Sequence, residues 1–161
     1  MARITQEERK KNKEKYDELI FKLFVEEGWE SVTLDRVSKI LNIRKSTLQG
    51  YYPEKMDFMR ALEGKVYPEI IGSLDFSSSN AFVKSWATML VSNRVFKQAI
   101  SMILINVLKI EGTPGPRLQR PIIRIINELA KNVDREEAEK TVGDCFGVAI
   151  MSLIFPSNLE T

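Results

Sequence analysis

Residues 32–58, VTLDRVSKILNIRKSTLQGYYPEKMDF, constrain this chain more than any other stretch. They predict two short helices joined by a tight turn. Thr33 suits the position before a helix, because its hydroxyl accepts from the open N–H groups of the first turn. Leu34, Val37, Ile40 and Leu41 then recur at helical spacing and predict one apolar face. Asn42 tolerates the left-handed conformation that ends a helix, and Ile43 is expected to pin the turn to the core. Arg44, Lys45, Ser46, Thr47 and Gln49 follow, all hydrogen-bond donors, with Leu48 facing inward. Pro53 is predicted to open a fourth helix, where its missing N–H does no harm.

A short helix edged with such donors has the chemistry of a major-groove reader. Arginine and lysine suit guanine edges and phosphates, glutamine pairs with adenine, and serine and threonine reach base or backbone. On that reading Lys45, Thr47 and Gln49 are candidates for base contact. Thr33, Tyr51 and Lys55 are candidates for phosphate contact, assisted by backbone N–H groups at the start of the fourth helix. Arg44 and Ser46 suit either. The competing reading is an ordinary solvated helix face. A second basic run, Arg9, Lys10, Lys11, Lys13 and Lys15, suits flanking phosphates or an adjoining groove. Interleaved with Glu7, Glu8 and Glu14, it reads more simply as solvated surface.

At these residues the sequence resembles the TetR family of bacterial transcriptional regulators. That family shows a long first helix ending in Phe-x-x-x-Gly, then a Thr opening the second helix; Phe24, Gly28 and Thr33 stand in those places. The family pattern continues through a small polar stretch, Thr-Leu-Tyr, an aromatic pair and Lys. Here Ser46, Thr47, Leu48, Gln49, Gly50, Tyr51, Tyr52 and Lys55 occupy that stretch. Two positions depart from it. Asn42 replaces the usual Gly of the turn, and Gln49 replaces the usual Tyr, exchanging an aromatic phosphate contact for an amide able to read a base. The resemblance covers roughly the first third of the chain. It implies an all-α protein with an N-terminal three-helix, helix-turn-helix DNA-binding domain (residues 1–52) and a C-terminal helical ligand-binding and dimerisation domain (residues 53–161). It also implies a homodimer formed by the last two helices.

Composition narrows the alternatives. The chain of 161 residues holds no histidine, which removes the commonest general base, the Ser–His and Cys–His pairs and histidine metal ligands. An enzyme therefore has little to work with, and no cofactor or metal is expected. Residues 1–60 carry 13 Lys+Arg against 11 Asp+Glu and the remainder 11 against 11, so the whole net charge of +2 sits with the helix-turn-helix. One cysteine, Cys145, excludes an internal disulfide and fits a reducing cytoplasm. The polar start, MARITQEERK, does not read as a signal peptide, and the apolar run at 95–110 is short for a membrane span.

Periodicity extends the all-α reading. Helices are expected over residues 5–27, ending at Gly28, and 53–71. Beyond the serine-rich break at 73–80 they are expected over 81–91, 95–109 and 122–133. A last helix is expected from an Asp134/Glu137 capping box to Phe155, stopped by Pro156. EGTPGPRLQRP, residues 111–121, reads as a loop. Phe82, Trp86, Met89, Phe96, Met102, Ile103 and Leu104 are adaptable wall material for a small apolar effector, or else filled core. Ile122, Ile126, Leu129, Val142, Gly143, Phe146, Gly147 and Ile150 suit a four-helix interface between two copies. The glycines among them also suit close packing within one core. The function expected is a dimeric regulator of palindromic DNA, a repressor released by an effector. The alternative lacks the ligand and is controlled by abundance or a protein partner.

Overall fold

The computed structural model describes residues 4–155, and among them it contains eight α-helices and no strand. The all-α expectation is therefore met. Pro156 lies outside the described residues. The chain divides into two compact units, the first ending at Lys65 and the second beginning at Val66. The boundary expected from sequence lies at 52/53. The first turns of the fourth helix stay with the first unit, because Phe58 packs on Tyr52 with ring centroids 5.1 Å apart.

In the first unit α1 runs Gln6–Glu27. Its polar start is helical, because Thr5 and Glu8 cap each other. The Glu8 N–H donates to Thr5 Oγ1 at 3.1 Å and the Thr5 N–H to Glu8 Oε2 at 2.9 Å. This draws the Glu8 carboxyl below its usual range. Tyr16, Ile20, Leu23 and Phe24 are buried along one face. Gly28 ends the helix at φ 86°, which a side chain would resist. α2, Leu34–Leu41, starts at Thr33, whose hydroxyl accepts from the Arg36 N–H at 3.2 Å. It ends at Asn42, at φ 54°. Val37 is buried and Leu34 and Leu41 half-buried, but Ile40 is exposed, contrary to the single apolar face expected. At about 100° per residue Ile40 stands about 60° beyond Val37 and about 100° from Leu41, outside the narrow stripe the other three share. α3 is Lys45–Gln49, held from beneath by the fully buried Leu48.

Pro53 does not start the fourth helix. Glu54 and Asp57 cap a 3-10 turn at Lys55–Asp57, and α4 runs Phe58–Ser73. The Asp57 carboxylate accepts from the Glu54 N–H at 3.0 Å and the Glu54 side chain from the Asp57 N–H, so these two of the backbone donors expected to assist phosphate binding are engaged.

In the second unit α5 (Ser79–Ser92), α6 (Arg94–Lys109), α7 (Pro116–Leu129) and α8 (Arg135–Ile154) follow the end of α4. Ser78 and Asn93 cap α5 and α6 with their side chains. The expected loop is shorter than its prolines suggested, for Pro116 opens α7 and Pro121 lies inside it. A proline inside a helix costs about 3 kcal/mol. Leu118 and Ile125, buried on either side of it, each contribute about 1.5–3 kcal/mol. Burial outweighs the lost hydrogen bond, and the helix continues.

Asp134 caps α8, its Oδ1 accepting from the Glu137 N–H at 2.9 Å. The reciprocal half of the expected box is replaced, since the Glu137 carboxylate takes the Ser79 hydroxyl of α5 instead. Asp134→Ala should therefore cost about 1 kcal/mol of stability, read as a lower Tm. An unchanged Tm would mean that the cap contributes nothing.

Cys145 is buried, and burial with nearby Asp144 pushes its thiol up to about 11, so it is protonated at neutral pH. Among the described residues no helix is long and apolar enough to cross a membrane, and no cluster of metal-ligating side chains occurs.

Candidate nucleic-acid interface

Leu48, with no exposed surface, fixes the rotation of α3, so its neighbours Lys45, Ser46, Thr47 and Gln49 all face solvent. Arg44, also exposed, stands just before the helix, and its carbonyl accepts the Thr47 N–H at 2.9 Å. A helix of five residues rises about 7.5 Å. It therefore presents a compact block of donors, of the size that meets a few adjacent base edges.

The surroundings of this block were not legible as pairings. Lys45 Nζ lies 2.8 Å from Asp35 Oδ1, across the turn on α2. Asp35 is 78% exposed and Lys45 47%, so the pair adds little stability and opens readily to a competing anion. Thr33 is committed as a cap, accepting through its oxygen, which leaves its O–H to donate. Lys55 is half-buried, with its Nζ 4.9 Å from the centre of the Trp29 ring.

Tyr51 is held from three sides by α1. Its ring stands edge-on to Tyr16 at 5.0 Å, the Arg9 guanidinium covers it at 4.7 Å, and its hydroxyl accepts from Asn12 Nδ2 at 3.5 Å. Next to it, buried Tyr52 donates its hydroxyl to Asp17, whose carboxylate also takes Lys13 Nζ at 2.7 Å. Burial, then the Asp17 carboxylate, raises the Tyr52 phenol far above its ordinary value, so it remains a donor. Residues 9, 12, 13 and 16 share one face of α1 by their spacing of three and four, and that was the available signal for this contact.

The second unit places the other expected residues. Phe82, Trp86, Phe96, Met102 and Ile103 are buried and Met89 is half-buried. Trp86 is ringed by Phe96 at 5.0 Å, Phe146 at 5.3 Å and Phe82 at 5.8 Å. Its Nε1–H is buried with no hydrogen-bond partner among the described residues.

The residues expected at a dimer interface separate into two layers. Leu129 and Val142 are buried in the core of the unit and Phe146 packs on Trp86. Ile122 and Ile126 are half-buried, and Gly143, Gly147 and Ile150 face out. A Cβ added at either glycine would meet nothing within 4 Å, so the packing of this unit does not need them.

Compared with known families, residues 63–153 match the tetracycline repressor LuxT C-terminal domain. The chain belongs to the TetR family. The match runs from α4 through most of α8 and covers more than half of the chain. As a TetR-family chain it is a transcriptional regulator. No curated protein matches it.

Proposed function

We propose that this regulator binds a palindromic operator as a homodimer and represses transcription until a small apolar effector releases it. The observation that carries the DNA reading is the outward block Lys45, Ser46, Thr47 and Gln49 on a helix pinned by Leu48 and entered through a left-handed Asn42. Lys45, Thr47 and Gln49 read bases, Thr33, Tyr51 and Lys55 bind phosphates, and Arg44 and Ser46 contribute to either. The homodimer reading is supported by the exposed face of α8, where Gly143, Gly147, Ile150, Met151 and Ile154 lie open. An exposed glycine inside a helix costs about 1 kcal/mol relative to alanine, and nothing within the unit offsets it. Close approach of a second copy does.

The unpartnered Trp86 N–H supports an effector with an apolar body and one hydrogen-bond acceptor. The ring contacts filling the space around Trp86 favour a second reading, a regulator without a ligand, controlled by abundance or a partner protein. Native mass spectrometry of the purified protein separates the two, since a retained small molecule supports the first.

The decisive test of DNA recognition is selection of bound sites from random DNA, expected to return a two-fold site. Against that site Lys45→Ala and Gln49→Ala should each lose about 1–3 kcal/mol, or roughly fivefold to 150-fold in affinity, with oligomeric state unchanged. Two variants binding as tightly as the parent would mean that α3 is not the reading helix.

A further inference from the structure

We propose that Arg9 of α1 extends the DNA interface beyond the reading helix, as a phosphate contact that also fixes the exit of α3. This rests on the DNA-binding reading. The first turns of α1 have no apolar stripe, yet they are helical and capped at Thr5. What they hold in place is a basic side chain. Arg9 Nη2 donates to the Gly50 carbonyl at 2.7 Å, immediately after the last residue of α3, and its guanidinium lies over the Tyr51 ring.

A guanidinium carries five N–H donors, and the Gly50 bond uses one of them. Arg9 is exposed, and its partners among the described residues are the Gly50 carbonyl and the Tyr51 ring, neither of them a carboxylate. Lys13, one turn further along the same face, is by contrast bound to Asp17 through both oxygens, at 3.0 and 2.7 Å. Of these two cations, Arg9 keeps its charge for an outside anion.

Its placement selects the anion. The major groove is about 12 Å wide and walled by phosphates. A group fixed to the carbonyl at the end of a helix rising about 7.5 Å stands beside that wall when the helix lies in the groove. The guanidinium lies 4.7 Å from the centre of the Tyr51 ring, so it stands beside the other phosphate candidate of this face. Because Gly50 and Tyr51 already hold the guanidinium, little side-chain entropy remains to be lost on binding.

The test uses the full chain and a short duplex of arbitrary sequence, titrated across a salt series, with Arg9→Gln and Arg9→Lys. Glutamine keeps an N–H for the Gly50 carbonyl and removes the charge; lysine keeps the charge. Arg9→Gln should reduce the slope of log affinity against log salt by about one unit, with Tm unchanged, while Arg9→Lys retains the parent slope. A purely structural Arg9 would leave the slope of Arg9→Gln at the parent value, and that result overturns the proposal. A parent protein whose duplex binding ignores salt overturns the DNA reading itself.

Discussion

Replacing Ile150 and Ile154 together by glutamate is expected to give a monomer that no longer holds a two-fold DNA site. Both side chains are on the open side of α8, at 41% and 58% exposure, and neither belongs to the buried core. Gly143 and Gly147 continue the same stripe toward the start of the helix, where Lys140–Asp144 and Arg135–Glu139 ion pairs take over. The apolar stretch is therefore local and bounded. Set against its own symmetry copy, it would bring four carboxylates into one interface, and unpaired charges in a buried apolar contact are strongly unfavourable.

The DNA consequence follows from linkage of the half-sites. A second reading helix tethered to the first adds roughly 10²–10⁴ to affinity without any new type of contact. A monomer forfeits that factor, so binding to the selected site should fall at least about 100-fold. Sedimentation measures the oligomeric state and a titration measures the loss. A variant that stayed dimeric would remove this face of α8 from the interface and leave the α3 reading untouched.

The parts of the fold that sequence made legible are the local ones. Thr33, Asn42 and Gly28 act through their own backbone or the first turn beside them, and each does in the structure what its chemistry predicts. The misreadings come from partners far away in sequence. Pro121 reads as a helix breaker until Leu118 and Ile125 are seen buried around it. Glu137 has the spacing of a capping box, but Ser79, on another helix, takes its carboxylate. Ile40 fits the helical period of α2 and still faces solvent, because period gives a direction without saying how wide the covered face is.

The candidate site divides in the same way. That residues 44–49 present donors around an inward Leu48 follows from composition and spacing. Which donors are already engaged does not: Lys45 with Asp35, Lys55 with Trp29 and Tyr51 with Arg9 each cross a turn or a helix pair. Gln49 is the case where sequence carries most, since its departure from the family's tyrosine changes the chemistry offered at an exposed position.

Trp86→Ala should be the most destabilising single change in the second unit, by about 3–5 kcal/mol. The indole is 1% exposed and joins rings from three helices, Phe82 on α5, Phe96 on α6 and Phe146 on α8. Removing it empties the centre of that cluster. Trp86→Phe separates volume from hydrogen bonding. It leaves a smaller void but also removes a buried donor without a partner, a group whose desolvation costs about 1–3 kcal/mol. The two changes oppose each other, so the phenylalanine variant should melt close to the parent and far above the alanine variant. If the N–H instead serves an effector, Trp86→Phe keeps its stability and loses the release of DNA by that molecule. A Tm for Trp86→Phe as low as that for Trp86→Ala would show that the indole is bonded in the native protein, and the acceptor-bearing effector would then have no donor to meet.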